Sequence, residues 1–187
     1  MLFIGRKMRL ANKLTVLRIL LVPFFLTCII YYGPGEEHLR IIALLIFCSA
    51  VLTDFIDGII ARAKREKTKL GSILDPLADK ILLITAFISL SQSKLTVVLP
   101  DWVVITVISR DIIIVLGAVV IQFITGHLDV HPSHLGKITT FFQMATVISI
   151  LLNFGFSYLF WYLAVLFTVL SGLNYIYQGS KLLNENK

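Results

Sequence analysis

Four aspartates, Asp54, Asp57, Asp75 and Asp79, fall within the stretch DFIDGIIARAKREKTKLGSILDPLAD at residues 54–79. The first two stand three apart and the last two four apart, so on helices each pair projects from a single face. Two adjacent antiparallel helices can thus gather four carboxylates at one cavity. Such like charges repel, and holding each ionised near apolar surroundings costs a few kcal/mol. One divalent cation, or two, removes that conflict. With only carboxylate oxygens in the motif and no Cys or His, the donor set suits Mg²⁺ or Mn²⁺ rather than Zn²⁺. Two such ions side by side are the usual device for activating a phosphate ester or anhydride for in-line displacement.

The small residues between the acids fit the same chemistry. Gly58 and Ala61 share the Asp54 face and let a ligand approach the helix backbone closely. Arg62, one turn beyond Gly58, offers a planar fork for phosphate or carboxylate. Gly71 sits one turn before Asp75 and clears space in the same way, and Asp75-Pro76 puts a proline where a helix start tolerates it. A plainer reading pairs the acids with Arg62, Lys64 and Lys80 as charges at helix ends, which any one acid would satisfy. It does not account for all four acids, both glycines and the arginine standing in register.

What must position these residues is a set of membrane helices. Of 187 residues 57% are hydrophobic and 15% charged, with a mean hydropathy of +0.89, whereas a soluble domain is nearer half apolar and a quarter charged. The chain reads as one membrane domain over residues 1–187, all-α, with six transmembrane helices at roughly 14–32, 39–61, 73–92, 102–124, 136–153 and 158–178. The first segment resembles a secretory signal, but no small-residue cleavage site follows, so it reads as a retained helix. Positive charge falls on every second connection, above all at Arg62, Lys64, Arg65, Lys67 and Lys69. That places both termini and the 62–69 loop in the cytoplasm, with the acids at the cytoplasmic end of the bundle. Gly33-Pro34-Gly35 is a turn signal at an outer boundary. Trp102, Trp161, Tyr31, Tyr32, Tyr158 and Tyr177 lie near span ends, as interfacial anchors do. The net charge of +6 flanks the apolar runs, which suits anionic headgroups and argues against nucleic acid. Cys28 and Cys48 lie inside apolar runs and read as small core residues rather than a disulfide or metal pair.

Taken together the pattern is D-x2-D-G-x2-A-R-x8-G-x3-D-x3-D. It resembles the signature of the CDP-alcohol phosphatidyltransferases, and the likeness extends along most of the chain. Residues 12–18, NKLTVLR, with Pro23 after them, are similar to the N-terminal region of bacterial phosphatidylglycerophosphate synthases. Residues 133–140, SHLGKITT, and Gln143 look like the basic cytoplasmic element after their fourth span. The resemblance implies six transmembrane helices, usually in a homodimer in the bacterial inner membrane, and two divalent ions. It implies that Asp54, Asp57 and Asp75 hold Mg²⁺ or Mn²⁺ against the CDP pyrophosphate, that Gly58, Ala61, Arg62 and Gly71 receive the nucleotide, and that Asp79, lying near the second ion, is the general base. The reaction so implied is transfer of the phosphatidyl group from CDP-diacylglycerol to an alcohol with release of CMP.

The motif reports only the CDP side. For the acceptor, Arg110 in span four and Lys137, preceded by Ser133, are candidates to hold a phosphate, joined by Arg18 if span one leans in. Arg110 can instead pair with Asp111 or Asp101, and Lys137 can snorkel to headgroups. Glycerol-3-phosphate is the first choice, giving phosphatidylglycerophosphate. The alternative is phosphatidylglycerol, as in the CMP-forming cardiolipin synthases of the superfamily. Ser109-Arg110-Asp111 looks more like those, and Gly117 stands where a second arginine is usual in the synthases. A second lipid acceptor needs fewer cations than a small, doubly charged phosphate. His127, His131 and His134 are spaced for one helix face, but Pro132 interrupts it and no fourth zinc ligand is visible. A divalent-cation or proton transporter is the rival from another class; its acids belong near the midplane between internal repeats, and no repeat is present.

Overall fold

The computed structural model describes residues 10–64, 71–125 and 134–185, with side chains described over 16–53, 80–117, 119, 123 and 134–180. Six helices follow one another: α1 (Leu10–Ile30), α2 (Glu37–Lys64), α3 (Gly71–Ser91), α4 (Asp101–Thr125), α5 (His134–Leu151) and α6 (Ser157–Glu185). Among the described residues there is no strand, so the all-α expectation holds, with the first five helices within four residues of their expected segments and α6 running seven residues past its own. The chain divides into two compact units, Met1–Leu95 and Thr96–Lys187.

In the first unit α1 packs on both α2 and α3. The α1–α2 connection is a tight turn in which the Glu36 N–H donates to the Gly33 carbonyl at 2.9 Å. Pro34 takes the second position and Gly35, at φ 92°, the third, which is the sequence requirement of a type II turn. The turn folds α2 back along α1. Tyr32 donates to Glu37 at 3.0 Å, and further along the two helices Phe25 and Phe47 meet with ring centroids 5.9 Å apart. Tyr32 is buried, 5% exposed, so it closes this turn instead of anchoring the chain at an interface, unlike Tyr31, Tyr158 and Tyr177, which are exposed. Pro23 lies inside α1 and leaves the carbonyl one turn before it without the usual amide donor. Pro76 does the same in α3, because that helix begins at Gly71 and not at the aspartate beside the proline.

In the second unit α6 packs on both α4 and α5. Trp102 meets Tyr162 at 5.9 Å, Arg110 meets Ser171, and Gly117 meets Tyr175. Contacts that advance together along both helices mean that α4 and α6 run parallel. Helix α5 runs the other way. Phe142 stacks on Phe167 at 5.0 Å, whereas Ser149 near the end of α5 accepts from Ser157 at the start of α6 at 3.0 Å. The reversal is set locally. The Phe154 N–H reaches back to the Ser149 carbonyl and the Asn153 N–H to that of Ile150, both at 2.9 Å. Asn153 itself is left-handed at φ 54°, completing a Schellman stop with Asn in place of glycine.

Large apolar side chains face outward on several helices. On α6 Ala164, Thr168 and Ser171 are buried while Tyr162, Leu166, Leu170, Leu173 and Tyr177 face outward. On α4 Ile105, Ile112, Leu116 and Phe123 are exposed, and on α1 Leu17, Leu20 and Phe24. Inward hydroxyls are satisfied by their own helix: Thr139 to Leu135 and Thr146 to Phe142, each at 2.8 Å, and Thr168 to Ala164 at 2.6 Å. Among the described residues, one stretch, Ser157–Ser180, is long and apolar enough to cross a membrane by length and composition alone. Shorter apolar stretches occupy Val16–Ile30 and Lys80–Ser91.

Candidate active site

The backbone places the aspartate motif on two helices of the first unit. Asp54, Asp57, Gly58, Ala61 and Arg62 occupy about the last three turns of α2, and Asp75 and Asp79 the early turns of α3 after Gly71. Positions 54, 57, 58 and 61 follow the three-and-four spacing of a single helical stripe, and positions 71, 75 and 79 do so on α3. Both helices pack on α1, which brings the two stripes into one unit. The side chains of the four aspartates, Ala61 and Arg62 lie outside the described residues, as do Ser133, His127 and His131 altogether. By residue type, four carboxylates without a thiol or imidazole at these positions would suit a hard, oxygen-seeking divalent ion.

Arg18, on α1 of the same unit, is 1% exposed. A fully buried arginine in an apolar helix is costly unless charge or hydrogen-bond acceptors surround it.

The remaining candidates belong to the second unit. Arg110, midway along α4, is held on two sides. Its Nη1 donates to Asp111 Oδ1 at 2.9 Å, with side-chain exposures of 11% and 10%, and its Nη2 donates to the Ser171 hydroxyl on α6. The pairing with Asp111 is the one the sequence offered as a plainer reading. The partnership with Ser171 was not legible there, although Ser171-Gly172 within an apolar helix is the kind of small-residue pair that lets helices approach. Lys137 lies in the first turn of α5, exposed like His134 which opens that helix. Between α5 and α6 runs a buried polar seam. Thr139 reaches the Phe167 carbonyl at 2.9 Å, and Gln143 donates to Thr168 at 3.4 Å. Gly117 marks the tightest approach, since a Cβ there would stand 2.7 Å from Tyr175 Cε1.

With this geometry in place the chain can be assigned to a class. It belongs to the CDP-alcohol phosphatidyltransferase family, whose model matches residues 8–170. Among individual proteins it is 37% identical over 185 residues to the CDP-diacylglycerol--glycerol-3-phosphate 3-phosphatidyltransferase of Bacillus subtilis, covering 89% of this chain and 92% of that one. It is 33% identical over 178 residues to a probable phosphatidylglycerophosphate synthase of Mycobacterium tuberculosis, covering 92% and 82%. The 3-phosphatidyltransferase of Escherichia coli is 34% identical over 137 residues, covering 72% and 71%.

Proposed function

We propose that this protein is a membrane-embedded phosphatidyltransferase that moves the phosphatidyl group of CDP-diacylglycerol onto glycerol-3-phosphate, giving phosphatidylglycerophosphate and CMP. The observation that carries the reading is the complete aspartate signature, set on the end of α2 and the start of α3 in a chain whose relatives bear that activity in their names. Those names also favour glycerol-3-phosphate over the phosphatidylglycerol that Ser109-Arg110-Asp111 left open.

Asp54, Asp57 and Asp75 would hold Mg²⁺ or Mn²⁺, which when bound neutralises both the crowded carboxylates and the pyrophosphate of the donor. Gly58 and Ala61 leave the α2 backbone open to the cytidine nucleotide, with Gly71 doing the same on α3, and Arg62 offers its fork to phosphate. Asp79 takes the proton from the acceptor hydroxyl. The freed oxygen attacks the β-phosphorus of CDP-diacylglycerol, the bond from that phosphorus to the bridging oxygen breaks, and CMP departs with the electron pair. The candidates to hold the acceptor phosphate are Arg110, Lys137 and Ser133 in the second unit and, separately, Arg18 in the first.

All six helices cross the bilayer in this reading, with both termini cytoplasmic, and the family resemblance adds a homodimer. The support is the large apolar side chains on the outward faces of α1, α4 and α6, with Arg18, Asp111, Thr168 and Ser171 among the residues turned inward. Outward faces of that kind suit an apolar surround. The alternating directions of α4, α5 and α6 are those of consecutive crossings. The test is CMP release from CDP-diacylglycerol by detergent-purified protein with Mg²⁺. Glycerol-3-phosphate is expected to support it and to yield phosphatidylglycerophosphate. Release with phosphatidylglycerol alone moves the assignment to cardiolipin synthesis, and release with neither acceptor refutes the transferase.

A further inference from the structure

Arg110 stands in the middle of an apolar helix, where an ionised side chain is expensive and is found facing partners or a functional cavity. Asp111 neutralises its charge through one amino group, but an adjacent residue on the same helix cannot by itself fix a long side chain against its neighbours. The fixing comes from α6. Ser171, 1% exposed, receives the other terminal amino group. The arginine stem passes beside the next residue, Gly172, where an added Cβ would make an ordinary 3.6 Å contact with Arg110 Cγ. Ser171 thus grips the head of the arginine. The arginine keeps 11% of its side-chain surface open.

We propose that Ser171 is a positioning residue for acceptor binding: it holds the Arg110 guanidinium in the orientation that meets an acceptor phosphate. This rests on the assignment of Arg110 to the acceptor made above. A guanidinium binds phosphate best when its planar fork is already oriented, because the long side chain then loses little freedom on binding. Without the serine hydroxyl the charge remains but the fork swings, so the loss appears in acceptor affinity and not in the nucleotide half of the reaction.

The experiment measures steady-state kinetics of the full-length protein in detergent, varying glycerol-3-phosphate and CDP-diacylglycerol separately, for Ser171→Ala, Ser171→Thr and Arg110→Gln. Ser171→Ala is expected to raise the KM for glycerol-3-phosphate by about tenfold, the size of one hydrogen bond to a charged group. The KM for CDP-diacylglycerol and kcat should stay within about twofold, and Ser171→Thr, which keeps the hydroxyl, should restore the acceptor KM. If Arg110→Gln raises the acceptor KM while Ser171→Ala leaves it unchanged, the role of Ser171 is refuted and that of Arg110 stands. An unchanged acceptor KM in Arg110→Gln removes both, while CMP release by the unaltered protein still upholds the transferase. A fall in kcat and thermal stability with no selective change in acceptor KM makes Ser171 a packing residue and overturns the inference.

Discussion

Replacing Gly117 by alanine tests the parallel packing of α4 and α6. In a helix interior that substitution ordinarily stabilises by about 1 kcal/mol, because alanine has less backbone freedom to lose. Here the new methyl would stand 2.7 Å from Tyr175 Cε1, 3.2 Å from its Oη and 3.4 Å from Cζ. Carbon atoms pack best at about 3.5–4.0 Å, so the ring must retreat by about 1 Å. The Tyr175 hydroxyl is already enclosed and has no hydrogen-bond partner among the described residues, which leaves the ring little room. Overpacking of this kind costs about 1–3 kcal/mol, so Gly117→Ala should come out between neutral and about 2 kcal/mol less stable. Unfolding in mixed micelles, followed by helical circular dichroism, measures it. A double-mutant cycle with Tyr175→Leu isolates the clash, with an expected coupling of about 1–3 kcal/mol. Gly172→Ala is the internal control: its Cβ meets Arg110 Cγ at an ordinary 3.6 Å, and it should gain up to about 1 kcal/mol. A coupling within about 0.5 kcal/mol of zero, or a Gly117→Ala as stabilising as Gly172→Ala, refutes the close approach.

Asp57→Asn should abolish CMP release while leaving the helical spectrum and melting temperature unaltered; near-normal turnover would overturn its metal role. Removing divalent ions with a chelator should stop turnover, and either Mg²⁺ or Mn²⁺ should restore it, whereas rescue by Zn²⁺ alone would contradict the all-carboxylate donor set. Tyr32→Phe removes the bond to Glu37 at 3.0 Å and should cost about 0.5–1.5 kcal/mol without affecting activity, read from the same micellar unfolding. Asn153→Val forces a β-branched residue to φ 54° and should destabilise by about 1–2 kcal/mol, while Asn153→Gly should be close to neutral.

The helices were legible because runs of about twenty apolar residues, punctuated by Gly-Pro-Gly and Asn-Phe-Gly, leave few alternatives. The aspartate stripes were legible for a similar reason: three-and-four spacing is a property of a single helix and needs no knowledge of its neighbours. What escaped was whatever depends on two distant helices meeting. Nothing near Ser171 announces Arg110, which lies 61 positions away in the chain, and Gly117 looked like a missing arginine until Tyr175 was seen to occupy the space. Tyr32 was misjudged as an anchor because aromatic residues at span ends usually are; its hydroxyl instead closes the turn through Glu37. Pro76 was placed at a helix start because Asp75-Pro76 resembles one, yet α3 begins earlier, at Gly71.

The order in which partners of Arg110 enter the chain bears on biogenesis. Its carboxylate sits next to it, so the pair is complete as soon as α4 forms, and in the six-span reading proposed above a newly made segment would present the lipid with a neutral couple instead of a bare cation. The serine is synthesised much later, with α6. On that reading insertion needs only the aspartate, and final alignment waits for the last helix to dock. A chain stopped before α6 would keep its charge balance and lose its aim.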